Sequence, residues 1–255
     1  MSESTDKAVQ TLAAWLRESR RGVAFTGAGI STESGIADFR SPGGVWSRHK
    51  PVMYQDFLND PAERRRYWLI RKESVPEFQA AEPNAGHAAL ARIEAMGHLV
   101  GIITQNIDEL HQRAGSKHVL EVHGTAMRVH CLDFDKRYSA EEISVRLVAG
   151  EEEPRCDDCG GILKSMTVSF GEGLPEDVWA ASVELTRNCD LFLALGSSLV
   201  VHPAAGLPEL AVRNDAKLII INRAPTPLDS IADLVINAPI GETMGAVMEA
   251  MGEDV

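Results

Sequence analysis

The chain has 255 residues, 44% of them hydrophobic and 24% charged, which is enough for one large domain or for a domain with an insert. Its 25 basic against 37 acidic residues leave a net charge of -12, which opposes the phosphate attraction that nucleic-acid binders use, so no direct nucleic-acid partner is expected. The opening MSESTDKAVQ lacks a basic segment followed by an apolar run, and no stretch approaches the roughly 20 apolar residues of a membrane span, so a cytoplasmic protein with no membrane partner is expected.

Val9, Leu12, Ala13 and Leu16 recur at helical spacing and predict an amphipathic helix before the basic RESRR. GVAFTGAGIS then reads as a short apolar strand breaking into a glycine-rich turn. Further along, Asn84 can cap a helix over AGHAALARIEAM, with Gly97 just past its end. The strand signal returns at HLVGIITQN, DLFLALGSS, KLIIIN and DLVIN, and PAAGLPELAVRN supplies a helix before KLIIIN. These runs are apolar throughout, as parallel strands covered on both faces are. The alternation predicts an α/β fold, a Rossmann-like doubly wound parallel sheet over residues 1–42, 81–124 and 166–255. Two stretches break the rhythm and are expected to form a smaller domain, a helical insert over 43–80 and a zinc-binding insert over 125–165.

Gly27 and Gly29 fall at the carboxyl end of the first strand, where backbone amides can approach a pyrophosphate; a plain tight turn is the alternative. The third glycine of the dehydrogenase fingerprint is missing, which argues against hydride transfer. Gln105, Asn106 and Asp108 follow the second strand and make a poor nucleophile set but a good ribose and carboxamide clamp. Asp108 alone also suits a helix cap. His123, before Gly124, can serve as a general base or as a structural histidine. Cys156 and Cys159 have metal-ligand spacing, Cys131 lies upstream, and Phe134 stands where a second pair would end. Cys189 precedes an apolar strand and is expected to be a small buried hydrophobe.

GAGIS with DFR, PNAGHAAL, TQNIDELH, EVHG, CDDCGG, FGEGLP, GSSLVVHPA and IIIN together resemble the sirtuins, the NAD-dependent protein deacylases, in order and spacing from about Val23 to Ile240. The resemblance implies that nicotinamide leaves the ribose carbon of NAD, a co-substrate, and that the acyl oxygen of an acyl-lysine protein or peptide attacks that carbon, giving lysine and O-acyl-ADP-ribose. It implies His123 as base, with Asn106, catalytic, and Asp108 holding ribose and nicotinamide. Gln105 would contact the ribose, with Ile107 beside it, and Phe39 would shield the reacting carbon. Gly27, Ala28 and Gly29 would bind phosphate and adenosine, Asp38 and Arg40 would belong to the closing loop, and Gly196, Ser197, Ser198, Asn222 and Ile240 would line the adenosine half. The peptide would lie between SFGEGLP and SSLVVHP, touching Val168, Phe170, Gly171, Glu172 and Val200.

Three departures stand out. The structural zinc that the resemblance implies would keep Cys131, Cys156 and Cys159, with Asp133, His130 or water in the fourth place. Lys164, Ser165 and Met166 replace an arginine-proline-acidic trio. WLIR puts Trp68 where desuccinylating relatives carry the tyrosine of Tyr-x-x-Arg, and keeps Arg71; acetyl-lysine is therefore the expected substrate. Mono-ADP-ribosyl transfer and non-catalytic binding of NAD or ADP-ribose are the competing readings.

Overall fold

Helix α1 (Glu3–Glu18) buries Val9, Leu12, Ala13 and Leu16 as its spacing requires, and β1 (Gly22–Thr26) follows with every residue buried. The computed structural model describes residues 3–38 and 49–253. Beside β1 run β2 (Leu99–Thr104) and β3 (Val119–Glu121) on one side. On the other side lie β7 (Leu191–Leu195), β8 (Lys217–Ile221) and β9 (Leu234–Ile236), giving the order β3-β2-β1-β7-β8-β9. All neighbouring pairs are parallel, in the Rossmann-like arrangement.

Each face of this sheet has its own core. On one face α1, α4 (Ala85–Ala95) and α9 (Ile240–Met251) pack Leu90, Ile93, Met244 and Val247 against Ala24, Leu193 and Ile219. On the other, α7 (Glu176–Asn188) and α8 (Leu207–Arg213) cover Phe25, Phe192 and Ile220. Cys189 belongs to this second core, donates to Thr186 O at 3.1 Å, and is pushed up to about 12 by burial. Asn84 caps α4 by accepting from Gly86 N at 2.9 Å, while His87 Nδ1 accepts from Asn84 N at 3.3 Å.

The smaller unit is built on β4 (Gly124–Cys131), β5 (Arg137–Ser139) and β6 (Leu163–Thr167), antiparallel in the order β5-β4-β6. Helices α2 (Tyr54–Asn59), α3 (Pro61–Ala80) and α6 (Ala140–Val148) close over it around Phe57, Trp68, Tyr138, Ile143 and Leu163. Arg64, itself buried, ties α3 to the insert through Glu153 at 2.5 Å. Among the described residues no helix is long and apolar enough to cross a membrane.

Candidate active site

The strand order reverses between β1 and β7, and an α/β sheet leaves its crevice at the carboxyl ends of the strands where that happens. The two loops there approach backbone to backbone: Gly27 N donates to Leu195 O at 3.0 Å and Gly29 N to Gly196 O at 2.8 Å. A Cβ on Gly29 would stand 2.6 Å from Gly196 Cα, and Gly196 itself has φ 64°, so glycine is needed on both sides. The crevice continues under the smaller unit as one cavity of about 850 Å³.

Gly27, Ala28, Gly29, Asp38, Gln105, Asn106, Ile107, His123, Val168, Phe170, Gly171, Glu172, Gly196, Ser197, Ser198, Asn222 and Ile240 all line this cavity. Asp108 and Val200 do not. Val200 is exposed at the rim, and Phe39 and Arg40 lie outside the described residues. Asp108 sits behind the wall, where Oδ1 accepts from Leu110 N at 3.0 Å, at the start of the one-turn helix Leu110–Arg113, whose cap position is Glu109. Its Oδ2 accepts from Ser31 Oγ at 2.7 Å, and burial raises its carboxyl above the usual range. Ser31 Oγ in turn accepts from Asn106 Nδ2 at 3.1 Å, so a serine to which sequence reasoning gave no function joins the two residues it singled out. The backbone of Asn106 is held by Thr104 Oγ1 at 3.0 Å, which Thr26 Oγ1 meets at 2.8 Å; His111 Nε2 stands 2.8 Å from that same Thr26 hydroxyl.

His123 Nδ1 lies 3.1 Å from Gln105 O. A carbonyl only accepts, so Nδ1 carries the proton and Nε2 keeps its lone pair. Burial lowers the imidazole below its ordinary value, against the pull of that carbonyl, and keeps it neutral near pH 7. Gln105 also gives Nε2–H to Ser197 Oγ at 2.8 Å, linking the loops that follow β2 and β7.

The wall beneath the smaller unit holds a correction. Trp68 does not line the cavity; it is buried in the core of the smaller unit, and the aromatic beside it that does line the cavity is Tyr67, one position and about 100° of helix earlier. Arg71 lines it too, stacked over the Tyr67 ring at 5.1 Å and donating to Thr167 Oγ1 at 2.9 Å. The argument for acetyl over succinyl from a missing phenol therefore falls. Lys164 is also buried, paired with Glu172 at 2.9 Å and donating to Thr167 O; Glu172 accepts from Ser169 N at 2.8 Å, so the lysine pins the loop that carries Phe170.

The Sir2 family model matches residues 27–203. This chain is a sirtuin. It is 44% identical over 236 residues to the NAD-dependent protein deacetylase of Thermodesulfovibrio yellowstonii, covering 92% of each chain. It is 45% identical over 234 residues to NAD-dependent protein deacetylase 2 of Streptomyces coelicolor, covering 89% of this chain and 96% of that one. A solved structure of Sir2 with a p53 peptide and NAD+ superimposes with a TM-score of 0.87 at 41% identity, covering 95% of this chain and 98% of the other.

The sirtuin's metal centre lies apart from this cavity. The Sγ atoms of Cys131, Cys156 and Cys159 all lie within 4.8 Å of one another, with Cys131 and Cys159 3.5 Å apart. Thiolates at about 2.3 Å from one tetrahedral zinc stand about 3.8 Å apart, so the donor set fits a structural zinc. Tyr138 Oη donates to Cys156 Sγ at 3.5 Å and orients it.

Proposed function

We infer that this sirtuin is an NAD-dependent protein-lysine deacylase, releasing nicotinamide and O-acyl-ADP-ribose, with acetyl-lysine as its first substrate on the strength of its likeness to deacetylases at 44–45% identity. The observation that carries the reading is the neutral His123, its free Nε2 in the same cavity as the glycine loops and the Asn106 amide. When bound, NAD supplies an electrophilic ribose carbon on losing nicotinamide. Gly27, Ala28, Gly29, Gly196, Ser197, Ser198, Asn222 and Ile240 would hold its ADP-ribose half, where the glycines of the two loops, seated backbone to backbone, keep side chains out of the crevice. Asn106 and Gln105 would orient the ribose, with Asp108 acting on Asn106 through Ser31. His123 Nε2 would take a proton from a substrate hydroxyl. The acyl-lysine peptide would add as a strand between the Val168–Glu172 loop pinned by Lys164 and the loop through Ser198 and Val200. We place the enzyme in the cytoplasm, where a three-thiol metal centre stays reduced.

His123→Ala should cut deacylation by roughly a hundred- to ten-thousandfold while nicotinamide exchange survives better, because the base acts after nicotinamide leaves. Equal small losses in both would remove His123 from the reaction. Nicotinamide release that does not require an acyl-lysine peptide, with label left on protein, would replace deacylation by ADP-ribosyl transfer. Binding of NAD without any release would leave a binding module. One peptide carrying acetyl, propionyl or succinyl lysine, followed by mass spectrometry, sets the acyl preference.

A further inference from the structure

Phe134 offers no donor atom, and the residue is 56% exposed to solvent. His130 and Asp133 were the side chains left to replace the missing sulfur, and their placement separates them. On β4, successive side chains point to opposite faces, so His130 cannot share the face of Cys131. Its cross-strand partners are Arg137 and Lys164, two cations, whereas Cys131 stands opposite Leu163. The face of His130 is the one from which Lys164 reaches Glu172.

Asp133 is on the other side. A Cβ built on Gly161 would lie 2.5 Å from Asp133 Oδ2 and 3.0 Å from both Cys131 Sγ and Cys159 Sγ. The carboxylate and two of the three sulfurs therefore surround one small space that any side chain at 161 would fill. The oxygen is also oriented by the backbone, since Ile162 N donates to Asp133 Oδ2 at 3.2 Å, as Gly161 N donates to Cys159 Sγ at 3.4 Å. Metal ligands are typically fixed by such outer hydrogen bonds. The carboxylate stands at the edge of the thiol cluster, outside the tight group of three sulfurs, so ligation requires its side chain to turn inward.

We propose that Asp133 is the fourth zinc ligand of this chain, giving a site of three thiolates and one carboxylate oxygen. The inference rests on the reading that the zinc is retained. A carboxylate restores the formal charge of the lost thiolate, which water does not, and zinc accepts carboxylate oxygen at about 2.0–2.2 Å. The cost is softness: oxygen is a poorer match than sulfur for this metal, so the site binds zinc more weakly than four cysteines would.

The experiment uses the full-length protein, its zinc content measured by elemental analysis and its affinity by competition with a chromophoric chelator, with the absorption of the cobalt-substituted protein as a second readout. Asp133→Asn should weaken zinc binding by at least about tenfold and change the cobalt spectrum, whereas His130→Ala should alter neither. Phe134→Cys should tighten binding and, in the Phe134→Cys background, Asp133→Asn should become silent, because the sulfur then occupies the carboxylate's place. A merely structural Asp133, holding only Ile162 N, would still weaken the double variant. Zinc present with affinity and spectrum indifferent to Asp133→Asn would overturn the proposal in favour of water, and a loss on His130→Ala would hand the position to imidazole. No zinc in the native protein, with melting unmoved by chelator, would remove the metal reading itself.

Discussion

Ser31 shows how much of this active site rests on a single hydroxyl. It donates to Asp108 and accepts from Asn106, all three side chains being buried, so its removal leaves a carboxylate oxygen and an amide hydrogen without partners. A buried unsatisfied group costs about 1–3 kcal/mol, and Ser31→Ala should lower kcat/KM by roughly tenfold to a hundredfold. Because Asn106 would act before the base, nicotinamide exchange and deacylation should fall together, unlike the split expected for His123→Ala; steady-state kinetics of both reactions decide it. Unequal losses would mean that Ser31 does not act through Asn106. The GAGIS block contains this serine, but nothing local marks it: its meaning comes from β1 and β2 lying side by side, which brings residue 31 to residues 106 and 108. Gln105, Asn106 and His123 were legible because amides and an imidazole at strand ends already suggest their chemistry. Tyr67 was not, since the choice between neighbouring helix positions depends on how α3 is rotated in its seat against β4 and α6.

Among the elements, the runs that became β1, β2, β7 and β8 were readable because both faces of a central parallel strand are covered and nearly every position turns apolar, while β9, at the sheet edge and half-buried, was readable from its apolar Leu-Val-Ile. β3 is three partly exposed residues, too short to leave a pattern. β4 and β6 escaped because their sheet buries polar side chains, Lys164, Ser165 and Thr167 among them, which mask the alternation. The glycine-rich turn at the end of β1 was legible, but its partner was not: Gly29 is required to be glycine by Gly196 across the crevice. Gly29→Ala sets a methyl 2.6 Å from Gly196 Cα and 2.8 Å from its carbonyl oxygen, backbone atoms that cannot rotate away. Such overpacking costs about 1–3 kcal/mol, so melting should drop by several degrees and KM for NAD should rise about tenfold or more as the loops part. Gly206→Ala, where nothing lies within 4 Å, should leave both unchanged. If Gly29→Ala behaves like Gly206→Ala, the close seating of the two loops is not a requirement for binding.

For the molecule as a whole, buried titratable groups set how stability depends on pH, and they pull in opposite directions. Burial draws His87 down to about 4, burial and the neighbouring His87 hold His111 well below 6.5, and burial lowers His123. His87 and His111 stay neutral in the fold but take up protons in the unfolded chain below 6.5, so stability is lost as pH falls below that value; for His87 the amount is on the order of 3 kcal/mol, and His123 adds in the same direction. Glu121 acts the other way. Burial, and then the charge of Glu109, raise it to about 7 from 4.5, so the fold holds a proton there that the unfolded chain has released, and this stabilisation disappears as pH rises from 4.5 through 7. Asp108, raised by burial, adds to the same side. The imidazoles of His87 and His111 outweigh the Glu121 carboxyl between pH 5 and 6.5, so Tm should climb over that range and level off by about pH 7. Glu121→Gln removes the main opposing group: the two proteins should melt alike near pH 5, and the variant should rise more steeply and stay above the wild type at pH 8. Calorimetry in buffers of different ionisation enthalpy at pH 5.5 should show net proton uptake on unfolding, larger in the variant. Parallel melting curves would mean that Glu121 is charged in the fold at pH 6, and proton release at pH 5.5 would mean that the buried histidines are not neutral.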